Sequence, residues 1–189
     1  MEATNSEDLI LDSLVTGIPT LTKNKAAMLK EACIWCLVKC EHSNGVNILC
    51  TICDENTYHS IKWENEVDLD GILGAYNDDD AVEYGAEALS LLIIREKTDY
   101  TAIERAVQTT GIDYWLGYKE KEKDELFNER DARLEISGIL REQGTNTVRS
   151  RIRTKLKQIK QSDYIFPAFV SIIEFSNPKA ETVIKDAID

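Results

Sequence analysis

Three carboxylates stand where the surrounding apolar pattern makes a carboxylate expensive. They are Glu87 in Val82-Glu83-Tyr84-Gly85-Ala86-Glu87, Asp113 in Gly111-Ile112-Asp113-Tyr114-Trp115, and Glu135 in Leu134-Glu135-Ile136-Ser137. A charge taken out of water needs compensation. A divalent cation held by oxygen ligands is one form of it. Ion pairs with nearby Arg95, Arg105 or Arg133, or exposure on an edge strand, are the others. A second set of reactive residues is the cysteines. Cys33-x2-Cys36 and Cys50-x2-Cys53, with thirteen residues between the pairs and His42 and His59 nearby, have the spacing of a tetrahedral zinc site. Their contexts argue against structural zinc. Cys33 and Cys36 sit in an apolar helical pattern, Cys50 and Cys53 would point to opposite faces of a strand, and neither pair encloses a turn residue. Neither histidine has a context that would activate a cysteine nucleophile.

The elements that must position these residues follow from periodicity. Residues 1–23 read as largely irregular. Asn24 is expected to cap a helix to about Lys39, followed by strands over Val46–Cys53 and Tyr58–Trp63. The acidic stretch from Glu64 to Asp80 reads as a loop with some helical turns. Asp80 is then expected to cap a helix from Ala81 to about Lys97, which carries Glu87 and is apolar nearly all round, hence buried. Strands follow at Tyr100–Val107, Ile112–Gly117 and Ala132–Leu140, the last two carrying Asp113 and Glu135. A charged loop or hairpin tip occupies Tyr118–Arg130. Thr145–Thr147 offers caps for a helix to about Lys160, Pro167 leads into a strand over Ala168–Phe175, and a short helix is expected at the C-terminus. From residue 81 the order is helix, strand, strand, strand, helix, strand. It implies a mixed α/β fold with a central sheet flanked by helices. Residues 1–80 read as an N-terminal extension packed on a core domain of residues 81–189.

That order, with an acid on the first helix (Glu83 or Glu87), an Asp in the second strand and a Glu in the third, resembles the PD-(D/E)XK (restriction-endonuclease-like) nuclease superfamily. The resemblance spans roughly residues 81–176, about half of the chain. It implies an αβββαβ core and an endonuclease-like, metal-dependent hydrolysis of phosphodiester bonds. Asp113, Glu135 and Glu87 would be the acids at a Mg²⁺ or Mn²⁺ ion. One position departs from the pattern: Ser137 stands where the superfamily has a lysine two residues after the Glu. The helix that follows offers a replacement cation. Val148, Ile152, Leu156 and Ile159 define its apolar face, and of its bases Lys155 lies closest to that face. Lys155 is therefore the expected substitute. The other reading of Lys155 is a stem that covers apolar surface while its ammonium stays wet.

Charge bears on partners. The chain has 189 residues, 22 basic and 34 acidic, for a net charge of −12. That argues against a protein that coats nucleic acid through overall charge. Residues 53–89 hold eleven acids and a single base, Lys62, whereas residues 149–160 hold six bases and no acid. Within the basic stretch Arg149, Arg153, Lys157 and Lys160 point outward and are the candidate contacts to a nucleic acid, DNA in preference to RNA. A homodimer or a protein partner is the further expectation. The competing class is a catalytically inactive nuclease-like fold acting as an acidic interaction module. No apolar run reaches the ~18–20 residues of a membrane span, and the acidic start does not read as a signal peptide. A soluble cytoplasmic protein is expected.

Overall fold

A computed structural model describes residues 8–64, 67–107, 110–120, 129–159 and 166–187. Its elements are β1 (Leu9–Ile10), a 3-10 turn (Leu11–Val15), α1 (Lys23–Lys39), β2 (Val46–Ile52), β3 (Glu55–Lys62), α2 (Leu69–Ala75), α3 (Asp78–Lys97), β4 (Tyr100–Arg105), β5 (Tyr114–Tyr118), β6 (Ala132–Ile139), α4 (Val148–Gln158), β7 (Ala168–Glu174) and β8 (Lys179–Lys185). The fold is mixed α/β. Most of the expected tip at Tyr118–Arg130, residues 121–128, lies outside the described residues. Among the described residues no helix is long and apolar enough to cross a membrane.

Several boundaries move for local reasons. Thr22 caps α1, its hydroxyl accepting the Lys25 N–H at 3.2 Å, so Asn24 is already inside the helix. Asn77 caps α3 by accepting the Asp80 N–H at 2.9 Å. The helix therefore starts three residues before Ala81, and Asp78, Asp79 and Asp80 fill its first turn, where carboxylates complement the helix dipole. Residues 8–21, expected to be irregular, supply Leu9, Leu11, Leu14 and Ile18 to the core. The expected C-terminal helix is instead β8. Its Ala180 and Thr182 alternate inward while Lys179, Glu181 and Val183 are only partly covered, a period of two that suits a strand.

All eight strands form one mixed sheet in the order β1-β3-β2-β8-β7-β6-β5-β4. The strands of residues 1–80 continue the sheet of residues 81–189 through β8, which pairs parallel to β2 and antiparallel to β7. Side chains alternate between two apolar clusters. Tyr114, Leu116, Leu134, Ile136, Phe169 and Ile173 pack with α1 and α3 on one face. Ile139, Val170 and Ile172 pack with Val148 and Ile152 of α4 on the other. α3 presses close to β6 at Gly138, where a Cβ atom would stand 2.4 Å from the Val82 carbonyl oxygen. β6 and β7 run parallel, so α4 is the crossover that joins them.

Candidate active site

The site grows from a fork between β5 and β6. The two strands pair antiparallel from Leu116↔Ala132 to Tyr114↔Leu134 and part beyond that pair. Asp113 lies just before β5 rather than within it, because its carboxylate takes over a ladder bond. Its Oδ2 accepts the Ile136 N–H at 2.8 Å, while its own N–H donates to the Leu134 carbonyl at 2.8 Å. Glu135 precedes Ile136 on β6 and is buried beside Asp113, whose charge acts on it. Burial pushes the Glu135 carboxyl up to about 7 from an ordinary 4.5, and the negative charge of Asp113 adds to the rise. Two carboxylates this close need a proton or a cation between them.

The cation present comes from α4. Lys155 Nζ pairs with Glu135 Oε1, and the pairing opposes the rise in the Glu135 pKa. The lysine side chain is 20% exposed against 4% for the glutamate, so the ammonium reaches inward from the rim. One helical turn earlier, Arg151 Nη1 donates to Ser137 Oγ at 3.1 Å and its Nε donates to Asn146 Oδ1 at 3.0 Å. The two contacts have one geometric cause. Four residues of helix rise ~6 Å, and two residues of strand rise ~6.7 Å. A helix running antiparallel to β6 thus sets Lys155 over Glu135 and Arg151 over Ser137.

Glu87 approaches from α3, on the other face of the sheet. It is buried and fully engaged. Tyr114 Oη donates to Oε1, Arg105 Nη1 donates to Oε2 at 2.9 Å, and Lys25 Nζ stands 3.3 Å from Oε1. Arg105 also donates to Tyr114 Oη at 3.0 Å and extends Nη2 to 3.9 Å from Asp113 Oδ1. Asp113 and Glu135 are therefore brought together, and Glu87 joins them through Arg105, at the mouth of the fork. Among the described residues no group of three or more His, Cys, Asp or Glu side chains is placed to hold one metal ion.

Glu87, Arg105, Asp113, Ser137, Arg151 and Lys155 line a cleft of about 530 Å³ between the N-terminal half of α3, the end of β6 and α4, and the buried Glu135 reaches it through Lys155. Comparison of the chain with family models, curated proteins and solved structures found no match. What the cleft does is therefore to be read from its own chemistry. Its donors around Asp113 are carboxylate oxygens, which suit a hard cation such as Mg²⁺. Asp113 and Glu135 could supply its two protein ligands.

Arg149, Arg153 and Lys157 are exposed on the outer side of α4, and Lys160 lies outside the described residues. Cys33, Cys36, Cys40 and Cys50 are buried thiols and Cys53 is exposed. The Cys36 thiol donates to the Ala81 carbonyl and the Cys40 thiol to the Leu140 carbonyl. Burial pushes the Cys50 thiol up to about 12. Cys53 and Asp54 form the two-residue β2–β3 turn, both with positive φ, 48° and 67°. Sequence reasoning passed over Arg151, Tyr114 and Lys25. The i, i+4 relation of Arg151 to Lys155, set against the i, i+2 relation of Ser137 to Glu135, was the available signal for Arg151. Nothing in the sequence ties Lys25 to a residue 62 positions away.

Proposed function

We propose that this chain is a metal-dependent nuclease with a restriction-endonuclease-like core, hydrolysing phosphodiester bonds of nucleic acid, DNA in preference to RNA. The observation that supports it most is the juxtaposition of Asp113 and Glu135 at the mouth of a strand fork, with Lys155 Nζ on Glu135. Asp113 and Glu135 hold one Mg²⁺ or Mn²⁺ ion, a cation that commonly takes one or two carboxylates and leaves its other positions to water and phosphate. When bound, the ion lowers the pKa of a water molecule and offsets charge on the phosphate. Lys155 stands in for the lysine that Ser137 replaces. Its ammonium is poised to stabilise the charge that grows on the phosphate as water attacks. Glu87 holds Arg105 and Tyr114 in place at the cleft mouth, and Arg105 carries positive charge toward Asp113. Arg149, Arg153 and Lys157 on the outer side of α4 extend the contact to the phosphate backbone.

The test is cleavage of labelled DNA and RNA with Mg²⁺ or Mn²⁺ by the wild type and by Asp113→Asn, Glu135→Gln and Lys155→Ala. Asp113→Asn and Glu135→Gln are expected to abolish cleavage. Lys155→Ala should lower turnover by roughly tenfold to a thousandfold, the effect of losing one electrostatic stabiliser. Some loss of melting temperature is also expected, because Lys155 is only 20% exposed and pairs with the buried Glu135, so turnover is compared at a temperature where circular dichroism shows both proteins folded. A wild type that cuts nothing with either metal overturns the reading. It would favour the inactive fold acting as an acidic interaction module, to which Ser137 in the lysine position and the −12 charge point.

A further inference from the structure

The cleft has two walls of opposite sign. On the α3 side stand Asp78, Asp79 and Glu83, all exposed. On the β6–α4 side stand Arg141, Arg151 and Lys155. Lys155 is engaged by Glu135, and Arg141 Nη2 reaches the Lys39 carbonyl at 3.3 Å. Arg141 is thus held at one point by a neutral acceptor, and Arg151 at two. The Nε and Nη1 of Arg151 are held by Asn146 and Ser137, two neutral acceptors, and among the described residues no carboxylate pairs with it. A guanidinium fixed at two points by neutral groups keeps its full charge. It also gives up little rotamer freedom when it grips an anion with its remaining N–H groups. Ser137, the departure from the nuclease pattern, is thus one of the two residues that aim this cation.

Resting on the nuclease reading above, we infer that the cleft takes a single strand rather than a duplex, with Arg151 holding a backbone phosphate and the acids of α3 excluding a second backbone. The two backbones of a duplex face each other across grooves ~6–12 Å wide. The acids of α3 and the bases of β6 and α4 line one and the same cleft of about 530 Å³. A duplex gripped at Arg151 would carry its complementary phosphates over Asp78, Asp79 and Glu83. Charges still act on one another over ~10 Å at ordinary salt, so these acids would repel phosphates brought over them. A lone strand keeps its phosphates on the basic wall and turns its bases toward the rest of the cleft.

The experiment is fluorescence anisotropy on the full chain with Ca²⁺ replacing Mg²⁺, comparing a short labelled single strand with the duplex of the same sequence. The single strand should bind about tenfold or more tighter than the duplex. Arg151→Ala should lower single-strand affinity by roughly tenfold, as expected for one charged hydrogen-bonding group. Arg151→Lys should restore only part of it, because lysine cannot keep the Asn146 and Ser137 contacts and grip phosphate together. Asp78→Asn/Asp79→Asn/Glu83→Gln should raise duplex affinity more than single-strand affinity. Equal affinity for strand and duplex, an unaffected Arg151→Ala variant, or no gain of duplex binding in the triple variant overturns the inference. Each of those outcomes leaves metal-dependent cleavage intact, whereas preferential single-strand binding without cleavage under Mg²⁺ or Mn²⁺ overturns the catalytic reading alone.

Discussion

Replacing Gly138 with alanine probes the contact that holds α3, and with it Glu87, against the sheet. The added Cβ would stand 2.4 Å from the Val82 carbonyl oxygen, 2.6 Å from Val82 Cγ1 and 3.0 Å from Ala86 Cβ. The first of these is helix backbone and cannot rotate aside. Ordinary contact is restored only if α3 withdraws from β6 by about 1 Å, which forfeits dispersion along the whole interface. Overpacking of this kind costs about 1–3 kcal/mol. The opposing gain, the lower unfolded-state entropy of alanine, is only about 0.4–1 kcal/mol. The clash should win. At ~2–4 °C per kcal/mol for a chain of this size, Gly138→Ala should melt several degrees below wild type. Catalysis should suffer separately, since a misplacement of ~1 Å can cost on the order of a hundredfold in rate. Thermal and urea unfolding of both proteins, followed by circular dichroism, measure the first effect. A variant that melts within a degree of wild type would mean that α3 does not lie this close to β6.

Other expectations rest on separate features. The Glu135 carboxyl is raised to about 7 in the folded chain, so the stability it contributes is full below about 4.5 and is lost as pH rises through 7. Urea midpoints should fall over that window more steeply for wild type than for Glu135→Gln, and parallel curves would refute the shared carboxyl site. Glu87→Ala removes the acceptor of the buried Tyr114 hydroxyl, whereas Arg105, 45% exposed, can turn to water. The expected loss is about 1–3 kcal/mol, read as a shift in urea midpoint, and Tyr114→Phe should cost less. With a chromogenic disulfide reagent, Cys53 should react in the native protein and the other four thiols only after denaturation. More than one fast thiol would contradict their burial.

Legibility in the sequence followed the strength of the periodic signal. α3 was plain because its apolar residues leave almost no polar face, and the strands on either side of Asp113 and Glu135 were plain from alternation. The reach of Lys155 to Glu135 also followed from helical geometry, since its angular position set it nearest the apolar face of α4. β8 was not legible. Lys179 and Glu181 interrupt a short apolar run, and a seven-residue segment of that kind reads equally as one side of a helix until its neighbours β2 and β7 are known. The caps at Thr22 and Asn77 lay two to three residues before the positions expected, because several capping residues compete there. Asp113 was placed within a strand because its neighbours are apolar. Its side chain, by capturing the Ile136 N–H, removes it from the ladder. The union of Glu87 with Lys25 is a long-range meeting of α1 and α3 and leaves no local trace.

β8 also fixes the order in which the sheet can be completed. The hairpin of β2 and β3 and the run from β4 to β7 can each form from residues already synthesised. They become one sheet only when Lys179–Lys185, made after all of them, slots between β2 and β7. Until then both of those strands present open edges, the surfaces on which chains pair with the wrong partner. Folding that waits on contacts between distant parts of the chain is slow. The nascent protein therefore exposes two adhesive edges for as long as β8 is missing, and a chain cut before residue 179 would keep them.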